Sequence, residues 1–77
     1  MAETIHVFLE TKGRCGKIVT IVKGFTRSKD FLETLASALK KSCGVGGTLK
    51  GSTIELQGDV RQLSKSILEK QGFLVKL

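Results

Sequence analysis

The sequence predicts an α+β fold: an open-faced, two-layer sandwich in which a mixed five-stranded sheet, with chain order ββαββαβ, carries two helices on one face. Three observations lead there. Apolar residues recur with strand spacing or in β-branched runs at five places, they recur with helical spacing at two, and glycines fall at the junctions between these segments. A helix is apolar along one stripe and a sheet needs cover on at least one face, so two helices on one side of a single sheet is the economical packing, and the other face stays open. The chain has 77 residues, no Pro and no Ser-rich or Gly-rich tract longer than a turn, which reads as one domain over 1–77 without a linker. A domain of this size buries only about 60% of the surface its unfolded chain exposes, which leaves a modest core.

Ile5, Val7 and Leu9 alternate with His6 and Phe8, and residues 18–22 are rich in β-branched side chains, so both runs read as strands. Gly13 and Gly16 sit where a hairpin loop needs a permissive backbone. Ser28 or Asp30 can cap a helix, with Glu33 three residues after Asp30 as in a capping box. Phe31, Leu32, Leu35 and Leu39 give that helix its period, Lys40 and Lys41 suit its negative end, and Gly44 stops it, for a first helix over roughly 28–43. Thr48 and Leu49, a turn at Lys50-Gly51-Ser52, and residues 53–57 read as a second hairpin, with Ile54 and Leu56 on one side. Asp59 can cap a second helix whose Val60, Leu63 and Ile67 face inward, and Gly72 ends it before the apolar run at 73–77.

Formal net charge is +6 and the isoelectric point is about 9.7, a balance that favours polyanionic partners. Every charged residue between Glu10 and Asp30 is a cation: Lys12, Arg14, Lys17, Lys23, Arg27 and Lys29. The run reads as one basic face, with Lys12, Arg14 and Lys17 on a glycine-flanked hairpin tip that can reach into a groove of phosphates. No stretch approaches the ~20 apolar residues that cross a bilayer, and the first nine residues lack a secretory signal's leading cations, so the expectation is a soluble cytoplasmic monomer with no membrane partner. Cys15 and Cys43 are far apart and His6 is the sole histidine, so neither a metal nor another cofactor is expected.

Catalytic readings fail on particular residues. Gly13–Lys17 (GRCGK) departs from a phosphate-binding loop because Thr11 replaces its first glycine and Ile18 its magnesium-binding hydroxyl. Gly44–Gly47 lacks the third glycine of a dinucleotide loop, whose place Leu49 takes. Lys23-Gly24-Phe25 echoes an RNA-recognition strand, but Thr26 follows and the chain has only four Phe and no Tyr or Trp, so RNA binding would rest on phosphates and shape. His6 has no Ser, Cys or Asp near it in the sequence and reads as a surface or structural residue. An acylphosphatase-like hydrolase would need an Asn beside its Arg, and the chain has none. The expectation is a protein without catalytic residues.

Four segments together carry a resemblance: Thr11-Lys12-Gly13-Arg14 with Gly16-Lys17, residues 43–48 (CGVGGT), residues 54–59 (IELQGD) with Arg61, and residues 72–76 (GFLVK). In this order and spacing the sequence resembles the translation initiation factor 1 family, particularly its short bacterial and archaeal members, over residues 5–77. The resemblance implies the same open-faced sandwich, binding to the rRNA of the small ribosomal subunit near the initiator tRNA, contacts with initiator tRNA and other initiation factors, and a task in the fidelity of start-site selection. It implies that the loop between the first two strands contacts rRNA, here through Lys12, Gly13, Arg14 and Lys17, and that Gln57, Gly58, Asp59 and Arg61 form a second signature near the decoding site. Cys15 and Val60 stand where members often carry a small or basic and a polar residue, and many relatives continue beyond the position of Leu77. Two rivals remain beside this reading: a general RNA-binding or RNA-chaperone module using the same basic face, and a protein-interaction domain using Phe8 and Leu74 on the open sheet.

Overall fold

The computed structural model describes residues 3–13 and 16–77. Seven elements follow the expected order: β1 (Thr4–Lys12), β2 (Lys17–Lys23), α1 (Lys29–Cys43), β3 (Gly47–Lys50), β4 (Thr53–Gln57), α2 (Arg61–Lys70) and β5 (Leu74–Lys76). The strands form one sheet in the order β3-β4-β2-β1-β5. β1 and β5 run parallel and the other pairs are antiparallel, so the sheet is mixed.

Register explains which side chains meet. Val7 lies opposite Val22, Val22 opposite Ile54, and Thr20 opposite Leu56, which puts the alternate apolar residues of three central strands on one face. Leu32, Leu35, Ala36 and Leu39 of α1 and Leu68 of α2 close over that face and, with Ile5, Phe25, Val60 and Phe73, form one buried cluster. The opposite face carries His6, Phe8, Lys23, Glu55, Gln57 and Lys76, and among the described residues no helix covers it.

Local chemistry sets the helix ends. Ser28 caps α1 by accepting a hydrogen bond from the Phe31 N–H at 3.3 Å, so of the two capping candidates Ser28 serves and Asp30 lies within the first turn. At α2 the expected Asp59 cap moves by one residue. Val60 occupies the capping position without a side-chain hydrogen bond, because its isopropyl group holds no acceptor; it is buried in the core instead. The expected inward face of α2 also shifts: Leu63 is 52% exposed, while Ser64 and Leu68 are fully buried. Val60, Ser64 and Leu68 follow each other at i, i+4, i+8, and Leu63 lies about 100° around the helix from Ser64. Close approach fixes one glycine: a Cβ on Gly47 would stand 2.4 Å from the Glu55 carbonyl oxygen, so β3 can pair with β4 here only without a side chain.

Candidate nucleic-acid interface

The β1–β2 hairpin closes on the pair Lys12–Lys17, beyond which the Gly16 N–H donates to the Gly13 carbonyl at 3.4 Å. Gly13 has a φ of +77° at the start of the turn, and Lys17 is exposed at the first position of β2. Arg14 and Cys15 lie outside the described residues.

β4 runs antiparallel to β2, so its last residues return to this same end of the sheet, with Gln57 opposite Val19. The connection from β4 to α2 is then tied to the hairpin stem. Gly58 donates its N–H to the Ile18 carbonyl at 2.8 Å. The Thr20 hydroxyl, fully buried, donates to the Gly58 carbonyl at 2.7 Å and accepts from the Val60 N–H at 3.0 Å. One hydroxyl thus satisfies two backbone groups that are removed from water, where an unpaired group is costly. Gly58 sits between these bonds at a φ of +82°, a conformation that side chains on L residues resist. A third segment joins on the far side of β4, where Gln57 donates its N–H to the Gly46 carbonyl at 2.9 Å.

Asp59 and Arg61 form a forked pair beside this lock: Arg61 Nε donates to Asp59 Oδ1 at 3.0 Å and Nη2 to Oδ2 at 3.1 Å. The hydrogen bonds from the Arg61 side chain hold the Asp59 carboxyl below its ordinary range, and the same contact raises the Arg61 guanidinium above its own. Asp59 is therefore a fixed anion that orients the guanidinium, whose three remaining N–H donors can address an external acceptor. Between the lock and the hairpin, Lys17, Ile18, Val19, Gln57 and Gly58 line a groove of about 340 Å³.

Two further cations arrive at this end with the last turn of α1. Lys41 is exposed, and Lys40 is half-buried with its stem against Gly47. In the sequence both serve only to complement the helix dipole. Their return to the hairpin end follows from α1 running its 15 residues, roughly 22 Å, back along the sheet.

The other expected contact residues lie elsewhere. Lys23 ends β2 six residues after Lys17, roughly 20 Å away, with its Nζ 5.2 Å from the Phe8 ring centroid on the open face. Arg27 pairs with Glu3 and lies over the rings of Phe31 and Phe73, 5.1 and 5.4 Å from their centroids. Lys29 pairs with Glu33 at 3.9 Å. The single basic face expected from the unbroken run of cations is thus two groups, because β2 crosses the sheet between them. A concavity of about 620 Å³ belongs to the second group and is lined by Arg27, Lys29, Leu32, Glu33, Leu49, Gly51 and Ser52. Its two cations already face intramolecular carboxylates. Thr20 and Glu3, the residues that organise the two ends, carried no recognisable sequence signal.

Among the described residues no group of three or more His, Cys, Asp or Glu side chains is placed to hold a metal, and no helix is long and apolar enough to cross a membrane.

Comparison with known proteins bears on what this end of the molecule is for. The family model Translation initiation factor SUI1 matches residues 1–74. A protein of Haemophilus influenzae, named an uncharacterized protein, is 44% identical over 73 residues that make up 95% of this chain and 69% of its own length. Uncharacterized protein YciH of Escherichia coli K12 is 45% identical over 73 residues, 95% of this chain and 68% of its own. The protein translation factor SUI1 homolog of Methanocaldococcus jannaschii is 51% identical over 63 residues, 82% of this chain and 61% of its own. The motifs' resemblance to the translation initiation factor 1 family is thereby corrected in name: SUI1 is a different family, and its model spans β1 to β4, both helices and the first residue of β5. The broader reading, kinship with translation initiation factors, stands.

Proposed function

The chain belongs to the translation initiation factor SUI1 family, and from that premise we propose that it is a non-catalytic initiation factor that binds the small ribosomal subunit near the initiator tRNA and sharpens start-codon selection. The observation that carries this reading is the Thr20 lock, which fixes the segment 57–61 against the stem of the cationic hairpin. Phosphate affinity comes from Lys12, Arg14 and Lys17, and the forked Asp59–Arg61 pair presents an oriented guanidinium next to the segment that the Thr20 lock holds. The rigid sandwich then occupies space that a correctly paired initiator complex does not need and a mispaired one does. Selection arises because the factor binds the two complexes with different affinity, since equal affinity shifts no equilibrium. Ribosomal rRNA is the principal partner in this reading, with initiator tRNA and other initiation factors as neighbours.

The test is binding of labelled protein to isolated small subunits over a salt series, with a generic structured RNA as competitor. Each lost phosphate contact lowers the log–log slope by about 0.7, so changing Lys12, Arg14 and Lys17 to Ala should lower it by about 2. Saturable binding that resists the competitor and loses this slope supports the proposal. Binding that the competitor abolishes contradicts it in favour of a general RNA-binding module.

A further inference from the structure

The sheet face turned away from the helices has its own organisation. Lys23, His6 and Lys76 lie side by side in one row across β2, β1 and β5, since His6 is in register with both lysines. All three are exposed, and the row is about 10 Å wide at the usual strand spacing. In the adjacent row Phe8 lies opposite Ile21 and Ile21 opposite Glu55. Ile21 is only 4% exposed although no helix reaches it, because Phe8 and Glu55 flank it on this face. The result is an apolar floor at the centre of the sheet with a half-exposed aromatic ring, bordered by cations. Lys23 Nζ stands over the Phe8 ring, 5.2 Å from its centroid, which joins the cation to the aromatic on this face. Of the acidic residues here, Glu55 is paired with Lys50 at 3.7 Å, and Glu10 lies beyond Phe8 towards the hairpin.

We propose that this open face is a second RNA-contact surface, which takes a single-stranded segment with its phosphates on the row Lys23, His6, Lys76 and a base against Phe8. Aromatic side chains on a sheet stack unpaired bases, and Phe8 stands in the row next to His6 on β1, within one nucleotide's reach of the phosphate row. Charge complementarity favours a polyanion. Continuity favours RNA over an acidic peptide, because this face carries on past the row of Glu10, Val19 and Gln57 to Lys17 at the hairpin end. The proposal rests on RNA being the partner at that end, and its test separates the two.

The experiment measures binding of a labelled ten-nucleotide oligouridylate to the whole chain and to variants. Lys12, Arg14 and Lys17 changed to Ala together should retain oligonucleotide binding while losing subunit binding. Phe8→Ala should weaken it roughly tenfold, the usual worth of one base–aromatic stack. Lys23→Gln with Lys76→Gln alters only exposed side chains and leaves the fold intact; it should lower the salt slope by about 1.4. An oligonucleotide that fails to bind, or binds wild type and both sheet variants alike, overturns the proposal. So does a photo-crosslinker at position 6 that, in subunit complexes, captures protein and no RNA, which would assign the face to an acidic peptide. Subunit binding that persists while the oligonucleotide fails leaves the proposed function standing; oligonucleotide binding through the sheet without competitor-resistant subunit binding removes that function and keeps this surface.

Discussion

At the hairpin end of β2, Lys17 stands exposed beside a segment clamped by backbone hydrogen bonds, and the Asp59–Arg61 ion pair leaves part of its guanidinium facing out. Past the other end of β2, Arg27 is held by Glu3 and two phenyl rings, and Lys29 by Glu33. The same residue types from one run of sequence therefore do different work. What separates them is the chain that folds back on each. Glu3 arrives from the N-terminal side of β1, accepts the Thr26 N–H at 2.9 Å and neutralises Arg27, whereas the segment 57–60 brings backbone groups to the hairpin stem and no carboxylate to Lys17. A cation is available to a polyanion where the fold leaves it donors facing out, as at Lys17 and Arg61, and less so where a carboxylate and two rings enclose it, as at Arg27.

The largest test of this contrast is the triple change of Lys12, Arg14 and Lys17 to Ala. Subunit affinity should collapse at physiological salt, with little change in the urea midpoint; a variant that binds normally would erase the distinction. Next comes Thr20→Val, which keeps the volume but leaves the Gly58 carbonyl and the Val60 N–H unpaired. Its expected cost is about 2 to 4 kcal/mol in urea unfolding, and loss well below 1 kcal/mol would mean the lock does not hold the segment. Arg27→Ala should behave in the opposite sense to the hairpin variant. Loss of its ring contacts costs about 0.5 to 1 kcal/mol of stability, while subunit affinity changes less than twofold.

The smallest effect is in the acid limb of stability. The Thr26 N–H, and after it Arg27, hold the Glu3 carboxyl below its ordinary value near 4.5. A carboxylate with a lowered native pKa contributes stability that is present above the unfolded value and disappears as pH falls through the native one. Glu3→Gln should therefore lower stability slightly near neutrality, where that contribution is fully present, and flatten the profile below about pH 4.5, where variant and wild type converge. Asp59→Asn should flatten the same limb from the other end of the molecule, and it alone should also weaken subunit binding.

Much of the fold was legible because its signals are local. Ser28, the stripe Leu32–Leu35–Leu39 and Gly44 mark α1 at both ends, and the alternation of residues 5–9 gives both the strand and its buried side. The site was legible only in part. Thr20 in a β-branched run reads as a strand former, and nothing nearby reveals that its hydroxyl meets Gly58 and Val60 some forty residues on. Leu63 reads as core because it is apolar, yet the helix phase set by Val60 and Leu68 buries Ser64 instead. Arg27 looks like its neighbours in the basic run because its partner Glu3 lies 24 residues earlier. The Thr20 and Arg27 misses concern contacts distant in sequence, which composition and period do not encode.

The most direct measurement compares the two ends in one assay. A photo-crosslinking residue is placed at position 17 or at position 29, and each variant is irradiated on isolated small subunits. Crosslinks to rRNA from position 17 and none from position 29 are the predicted result. Crosslinks from position 29 alone would contradict it, and would move the RNA-facing surface to the end where the cations already have partners.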